Sequence, residues 1–380
     1  MFSKYEVNKV KVKCLEFKNL RTGLEIKKIN FNDDITLLVG LSGAGKTQIL
    51  NAIEYSLKLA VNKNIRLEPY HASIGIEIDG SNYIWEYCIE ADKQQKLVGE
   101  DEEEYYFALE RLTKEDNILF ERTENTISVI GYEKIPTPKR DESLLVQYAE
   151  DDNFKKIIVE IKKLYPIEVE VDVRRGIGEA EFSVMKTKIN DVLKNNKETE
   201  FKVFSHLPIA IKVYIAKRYY EDIYYKIFEA VKELFIEIQD IDIVRDTVRE
   251  MYLIAIKVYD KVLLQHEISN GMLKTIYYIV ELFTMSENSL VLIDEFENGL
   301  GVNCIDLLSE MLITERKDLQ FIITSHHPKI INGIPKEKWK IIDRNISVIE
   351  NTGSIEYGVG NSQHDAYFNL LNRWEYEGKI

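Results

Sequence analysis

The chain has 380 residues, of which 45% are hydrophobic and 30% are charged, and its formal net charge is −14. This length predicts one large domain or about two domains. The acidic balance argues against a wholly basic nucleic-acid-binding protein, but it leaves a local basic groove open. Three cysteines without C-x-x-C spacing predict a reducing compartment, no disulfide framework and no zinc site. Neither a signal-peptide pattern nor an apolar run of about 18 residues occurs, so we expect a cytoplasmic protein without a membrane span.

The first third consists of β-type segments around one glycine-rich motif. Residues 10–17 and 24–31 alternate and predict two strands, and residues 35–39 predict a third, apolar strand. Residues 48–60 carry apolar positions at near-helical spacing. An antiparallel sheet with a hairpin turn at 79–82 is predicted from strands 72–78, 83–89, 105–112, 118–121 and 126–130.

The glycine-rich motif at residues 40–47 reads G-x-x-x-x-G-K-T, the phosphate-binding P-loop, and lies between a predicted strand and a predicted helix. Glycines let the backbone wrap around a phosphate without Cβ clashes, and the helix directs its free N–H groups at the anion. Lys46 is expected at the β- and γ-phosphates, and the Thr47 hydroxyl on Mg²⁺. The predicted ATP-binding residues are Gly40, Ser42, Gly43, Ala44, Gly45, Lys46, Thr47 and Gln48.

The middle third has a mixed pattern. Residues 141–165 and 208–236 read as helices, and the second lacks the sustained heptads of a long coiled coil. Residues 190–200 are polar and are predicted to form a loop. Strands are predicted at 168–173, 179–184, 241–244 and 252–256.

The last third alternates apolar strands with helices, which predicts a parallel sheet covered on both faces. These elements are strand 289–293, helix 302–315 and strands 319–324, 339–342 and 346–349. Leu290-Val291-Leu292-Ile293 is followed by Asp294 and Glu295, the Walker B arrangement. Asp294 is expected to hold Mg²⁺ opposite Thr47, and Glu295 to orient the attacking water.

Two further segments are candidate parts of the site. Ser269-Asn270-Gly271 opens a predicted helix, where Ser269 acts either as an N-cap alone or presents its hydroxyl to a γ-phosphate. His326 follows the strand 319–324, where it either contacts the γ-phosphate or is an ordinary histidine at a strand end.

The order of these motifs resembles the ABC-type ATPase head, and more narrowly the soluble ABC-type ATPases of the OLD, SMC and RecF group, many of which serve in bacterial anti-phage defence. The resemblance implies that two heads sandwich two ATP molecules. Ser269, Asn270 and Gly271 would then act in trans, and residues 40–48 and Asp294 in cis. It also implies catalytic roles for Lys46, Glu295 and His326 in Mg²⁺-dependent hydrolysis.

The chain departs from this family pattern at several positions. Gly301 stands where many relatives have a histidine, and His327 replaces a small residue. Gln147 is the candidate for the glutamine loop, the alternative being an exposed helix residue. No carboxylate-rich nuclease motif is visible, so a nuclease or toxin partner would be a separate chain.

These patterns together predict an α/β fold, a P-loop ABC-type head with a mixed central sheet, an antiparallel β subdomain and an inserted helical arm. We expect a single domain with an N-terminal lobe (1–140), an insert (141–262) and a C-terminal lobe (263–380). The expected function is an ATPase that forms a homodimer or higher oligomer around ATP and regulates a partner effector in anti-phage defence. Two alternatives stay open: a RecF- or SMC-like repair ATPase that binds DNA directly, and a non-hydrolysing ATP-gated scaffold.

Overall fold

The computed structural model describes residues 9–91, 104–135, 137–164, 167–168, 176–195, 199–353 and 363–376. The chain divides into two compact units. Unit 1 comprises Met1–Ile167, Asn288–Phe296 and Asp318–Ile380, and unit 2 comprises Glu168–Glu287 and Glu297–Lys317. The predicted lobe boundaries at 140 and 262 stay a prediction. In the described part of the chain, no helix is long and apolar enough to cross a membrane.

The strands are numbered in chain order. They are β1 Val10–Asn19, β2 Glu25–Asn30, β3 Ile35–Val39, β4 Tyr70–Ile78, β5 Ser81–Ala91, β6 Tyr105–Lys114, β7 Asn117–Arg122, β8 Ile127–Val129, β9 Ile167–Glu168, β10 Ile177–Gly178, β11 Ile238–Asp246, β12 Met251–Val258, β13 Lys261–Leu264, β14 Leu290–Ile293, β15 Gln320–Thr324, β16 Trp339–Asn345 and β17 Val348–Gly353.

The α-helices are numbered in the same way, and two short 3₁₀ turns lie at Phe201–Phe204 and Lys336–Lys338. The α-helices are α1 Lys46–Val61, α2 Leu144–Gln147, α3 Lys155–Lys163, α4 Glu179–Asn195, α5 Ile209–Tyr219, α6 Glu221–Leu234, α7 Asn270–Thr284, α8 Val302–Thr314, α9 Pro328–Gly333 and α10 Gln363–Tyr376.

Unit 1 is built on a mixed sheet whose strand order is β8-β7-β6-β5-β4-β1-β2-β17-β16-β3-β15-β14-β9. Successive strands from β8 to β2 pair antiparallel with one another, as do β16 and β17. The pairs β2–β17, β16–β3, β3–β15 and β15–β14 are parallel. Every residue of β3, β14 and β15 is buried, as expected for parallel strands covered on both faces. Because the three strands are parallel, the loops that follow them begin at the same edge of the sheet. The predicted mixed α/β fold is confirmed.

A buried ionic network ties the antiparallel part of unit 1 to the loop before α2. The carboxylate of Glu110 is fully buried and forms an ion pair with Arg122. It also accepts hydrogen bonds from the Ser143 hydroxyl at 2.6 Å, the Trp85 indole at 3.2 Å and the Leu144 amide at 2.9 Å. Since a buried carboxylate needs several such partners, Glu110 holds three segments of the chain together.

Unit 2 contains an antiparallel sheet in the order β10-β12-β11, with β13 paired to β12, together with helices α4 to α8. A buried ion pair joins two of its helices, since Lys212 Nζ on α5 lies 2.6 Å from Glu281 Oε2 on α7. Strands β11 and β12 confirm the predictions at 241–244 and 252–256, whereas β13 was not predicted from the sequence.

The strand predicted at 179–184 is wrong, because this segment begins α4. Its E-A-E-F-S-V pattern alternates like a strand, but the buried residues of α4 are Phe182 and Ile189, two helical turns apart. The predicted loop at 190–200 is also wrong as far as Asn195, where α4 ends. Of the strand predicted at 168–173, residues 169–173 lie outside the described residues.

The long helix predicted at 208–236 is two helices, because the chain leaves the helical conformation at Tyr220 with φ −136° and ψ 71°. The Tyr220 hydroxyl donates to the Thr199 carbonyl at 2.5 Å, and its ring contacts Phe201 with a centroid distance of 5.1 Å. These long-range contacts favour the break, which periodicity alone does not reveal. The helix predicted at 141–165 is similarly divided into α2 and α3.

We expect Glu110→Ala to destabilise the protein by about 3–5 kcal/mol, because it leaves the buried Arg122 guanidinium without its counter-charge. Urea unfolding followed by circular dichroism would measure the shift in midpoint. The matched control is Glu121→Ala on β7, whose half-exposed carboxylate pairs with Arg111 and should contribute only about 0–1 kcal/mol. Equal midpoints for the two variants would show that the buried network does not stabilise this sheet.

Candidate phosphate-binding site

The P-loop has the backbone conformation that its glycines allow. Gly43 and Gly45 have φ values of 80° and 100°, in the left-handed region that favours glycine. A Cβ on Gly45 would lie 2.3 Å from Ile349 Cδ1, so a larger residue cannot be accommodated without a shift. Helix α1 begins at the next residue without a side-chain cap. Its first N–H groups are therefore directed into the loop, an arrangement that is typical of anion-binding sites.

Lys46 is buried inside this loop. Its Nζ donates to the main-chain carbonyls of Gly40 at 2.9 Å and Leu41 at 3.0 Å. These bonds hold the ammonium group against the loop that curves over it. A buried cation beside free helix N–H groups is the arrangement that a phosphate chain requires.

Oxygen ligands for a metal ion meet beside the loop. The Thr47 hydroxyl donates to Asp294 Oδ2 at 2.7 Å, and the Thr324 hydroxyl donates to Asp294 Oδ1 at 2.6 Å. Hydroxyl and carboxylate oxygens are the ligands that Mg²⁺ prefers, and Mg²⁺ is commonly bound through one or two carboxylates together with substrate phosphates. The residues present therefore fit the predicted magnesium site.

Glu295 has a left-handed backbone, with φ 47°, which is uncommon for a residue other than glycine. The Thr324 hydroxyl accepts a hydrogen bond from the Glu295 amide at 2.7 Å, and the Thr324 carbonyl accepts one from the Phe296 amide at 3.1 Å. The Phe296 side chain is buried directly after this turn. These contacts hold the turn in place while the Glu295 side chain is exposed.

These groups surround a pocket of about 210 Å³. It brings together most of the predicted cis residues, whereas the predicted Gly40 and Ala44 are buried in the loop outside the lining. Thr324 and Arg344 were not predicted as site residues. The described lining residues all belong to unit 1 and are Ser42, Gly43, Gly45, Lys46, Thr47, Gln48, Asp294, Glu295, Thr324, His326 and Arg344.

The two consecutive histidines have different environments. His326 is half-buried, lines the pocket, and accepts a hydrogen bond at its carbonyl from the Tyr367 hydroxyl at 3.3 Å. His327 caps α9, since its Nδ1 accepts from the Lys329 amide at 3.3 Å. Of the two, only His326 is placed to meet a ligand in this pocket.

The Ser269-Asn270-Gly271 segment lies in unit 2, at the N-terminus of α7. Ser269 is the N-cap, with its Oγ accepting from the Met272 amide at 3.3 Å, and both Ser269 and Asn270 are exposed. The capping role is therefore confirmed, whereas the role toward a γ-phosphate stays a prediction.

The start of α7 is bound to the loop that leads into α8. The Lys274 ammonium donates to the Asn298 carbonyl, and burial lowers the pKa of Lys274, an effect that nearby Glu297 opposes. A Cβ on Gly271 would lie 3.4 Å from both the Gly299 carbonyl oxygen and the Gly301 amide. Gly301, where many relatives have a histidine, is the N-cap residue of α8.

Gln147, the candidate for the glutamine loop, is engaged in structural hydrogen bonds. Its Nε2 donates to the carbonyls of Lys139 at 3.0 Å and Glu142 at 2.7 Å, and its Oε1 accepts from the Lys139 amide at 2.9 Å. The side chain is half-buried rather than exposed and braces the loop before α2.

Comparison with solved structures finds Smc heads. An Smc head bound to the C-terminal winged-helix domain of ScpA is 13% identical, with a TM-score of 0.43, and the match covers 90% of this chain and 97% of that one. A Pyrococcus furiosus Smc head bound to the C-terminal domain of ScpA is 15% identical, with a TM-score of 0.45 and coverage of 90% and 96%. The Thermotoga maritima SMC head is 13% identical, with a TM-score of 0.42 and coverage of 90% and 98%.

Comparison by sequence gives two results. No curated protein matches the chain. Residues 177–332 match the family model described as "AAA domain, putative AbiEii toxin, Type IV TA system". This segment includes Ser269, the strand β14 with Asp294 and Glu295, and His326. Together with the geometry of the P-loop, this match confirms the predicted resemblance of the chain to ABC-type P-loop ATPases.

Proposed function

We propose that the protein binds ATP and Mg²⁺, dimerises around ATP, hydrolyses it, and thereby regulates a partner effector protein. One observation carries the proposal: a continuous set of hydrogen bonds joins Thr47, Asp294, Thr324 and the Glu295 amide beside the buried Lys46 ammonium. A phosphate site, a metal site and an exposed carboxylate are thereby held in one pocket.

Each group in the pocket has one task in this proposal. Lys46 and the N-terminus of α1 bind the phosphates, and Thr47 and Asp294 hold Mg²⁺, which neutralises phosphate charge when it is bound. Glu295 orients the water that attacks the γ-phosphate and accepts its proton, and His326 contacts the γ-phosphate. The left-handed turn at Glu295, held by Thr324, fixes the backbone from which its side chain extends, which favours catalysis by preorganisation.

The size of the pocket supports a site that a second copy completes. Pockets that bury most of a drug-sized ligand measure about 300–1,000 Å³, whereas this one measures about 210 Å³. A pocket of this size on one copy supports a site to which a second copy contributes. The exposed N-terminus of α7, with Ser269 and Asn270, supplies the anion-binding groups that the partner copy adds in trans.

Contacts to the γ-phosphate can supply the free energy that closing the dimer requires. Moving an equilibrium from about 1:99 to 99:1 takes about 5.5 kcal/mol of differential binding. A hydrogen bond to a charged group contributes about 1.5–3 kcal/mol. Two or three such contacts between the γ-phosphate and the partner copy therefore suffice to close the dimer.

The family match supports the proposed regulatory role. Its description names a putative toxin and a Type IV TA system. We propose that the effector is a nuclease or toxin encoded as a separate chain. We further propose that the pair serves in anti-phage defence.

We expect Glu295→Gln to reduce turnover by about 10²–10⁴-fold, the usual contribution of a general base, while the ATP-bound dimer accumulates. Mass photometry with and without ATP and Mg²⁺, together with phosphate release, measures both effects. The control is Glu350→Gln, the same change at an exposed position on β17 outside the pocket lining. A variant that stays monomeric at saturating ATP would contradict the proposed dimer.

Thr324→Val removes the hydroxyl that joins Asp294 to the Glu295 amide and keeps the side-chain shape. We expect kcat to fall by about tenfold or more with a smaller change in KM, because the turn that positions Glu295 loses its hydrogen bond. Thr324→Ser should restore kcat. The control is Thr36→Val on β3, whose buried hydroxyl accepts from the Asn32 amide away from the pocket. If both valine variants turn over alike, the Thr324 hydroxyl has no positioning role.

A mixture of two inactive variants tests the composite site. Lys46→Ala removes the cation of the P-loop, and Ser269→Arg blocks the surface offered to the other copy. Each variant alone should be inactive, whereas an equal mixture should recover part of the wild-type turnover, because mixed dimers contain one intact site. Lys58→Ala, on α1 outside the pocket lining, is the control for the first variant. A mixture that remains inactive would argue against contribution in trans.

A further inference from the structure

The hairpin formed by β16 and β17 makes one wall of the P-loop. Strand β16 pairs parallel with β3, with Ile341 beside Val39, so it continues along the loop after β3 has ended. A Cβ on Gly40 would lie 2.5 Å from the Ile342 carbonyl oxygen. Gly45, at the other end of the loop, is in equally close contact with Ile349 of β17. The hairpin therefore touches the loop at both of its ends.

Arg344 is placed on this wall by the register of the hairpin. It pairs with Ile349, and directly opposed residues of antiparallel strands project from the same face. Because Ile349 packs on Gly45, the Arg344 side chain emerges on the face that meets the loop. It accordingly lines the same pocket as Lys46 and Thr47.

Among the described residues, the guanidinium group of Arg344 has a hydrogen-bond partner at one of its three nitrogens. Its Nε donates to the Ile346 carbonyl at 2.8 Å, across the tip of the hairpin. Asp343 accepts from the Arg344 amide at 2.8 Å, not from the guanidinium. Within the described residues, no ion pair engages Arg344, and the residue lines the pocket.

The position of β16 in the sheet makes this cation complementary to the rest of the pocket. Strands β15 and β14, which carry Thr324, Asp294 and Glu295, lie on one side of β3, and β16 lies on the other. Asp294 and Glu295 therefore lie on one side of β3, and Arg344 lies on the opposite side. A planar guanidinium with two terminal nitrogens matches two phosphate oxygens, which an ammonium group does not.

We propose that Arg344 binds the polyphosphate chain of the nucleotide in cis, from the side of the pocket opposite Asp294. This inference rests on the proposed function. It adds a second fixed cation to Lys46 and assigns the β16–β17 hairpin as part of the nucleotide site. The ligand chemistry is that of a triphosphate, because the contact is made to phosphate oxygens and not to the base or sugar.

Calorimetric titration of the full chain with three probes tests this assignment: AMP-PNP with Mg²⁺, ADP with Mg²⁺, and inorganic triphosphate with Mg²⁺. We expect Arg344→Ala to weaken binding of AMP-PNP and of inorganic triphosphate by the same factor, about tenfold or more, since one charge-assisted contact is lost. Arg344→Lys should recover only part of the affinity. Lys340→Ala on the same strand makes the same charge change outside the pocket lining and should bind like the wild type.

The other outcomes are distinguishable. Unchanged binding by Arg344→Ala, with Lys46→Ala clearly weakened, overturns the assignment while the proposed function stands. Weakened AMP-PNP binding with unchanged triphosphate binding places Arg344 at the base or sugar and also overturns it. Failure of the wild-type protein to bind either nucleotide would refute the proposed function itself, and this inference with it.

Discussion

The parallel pairing of β3, β15 and β14 is the constraint on which the whole candidate site depends. Thr324 lies beside Leu38, and Ile323 lies beside Ile293, so the three strands end at one level. Residues far apart in sequence, such as Thr47 and Asp294, thereby come within hydrogen-bond distance. Since all three strands are fully buried, a shift in register would disrupt the packing of their side chains on both faces of the sheet.

The strained turn after β14 exists because of this pairing. A non-glycine residue in the left-handed region costs on the order of 1–3 kcal/mol, and it persists only where its surroundings hold it. At Glu295 those surroundings are the hydroxyl and carbonyl of Thr324 and the buried ring of Phe296. The same hydroxyl also binds Asp294, so one side chain sets the geometry of both carboxylates. The stability of the core is in this way coupled to the position of the exposed Glu295.

The glycines of the P-loop serve two requirements at once. Gly43 and Gly45 provide left-handed backbone for the phosphate-binding turn, as the motif predicts. Gly40 and Gly45 also allow the β16–β17 hairpin to approach more closely than any Cβ would permit. The P-loop motif is usually interpreted only as a phosphate-binding sequence. In this chain its glycines also determine how closely the adjacent hairpin, and with it Arg344, can approach the loop.

The sequence by itself determined the elements whose signal is local. A P-loop needs its strand, loop and helix to be contiguous, so residues 35–60 were predicted correctly from spacing alone. The buried strand before Asp294 and Glu295 and the strand before His326 were found in the same way, from short apolar runs ending in polar residues. The exact position of Ser269 as an N-cap also followed from local chemistry.

Only the tertiary structure decided the features that depend on partners distant in the chain. The segment 179–184 alternates like a strand, yet it is the start of a helix. The break at Tyr220 follows from contacts with Thr199 and Phe201. Thr324 was predicted only as the last residue of the strand before His326, and Arg344 was not singled out from the sequence. Parallel pairing places Thr324 beside Asp294. The register of the hairpin places Arg344 opposite Ile349, which contacts Gly45. The sequence pattern contains neither of these spatial relationships.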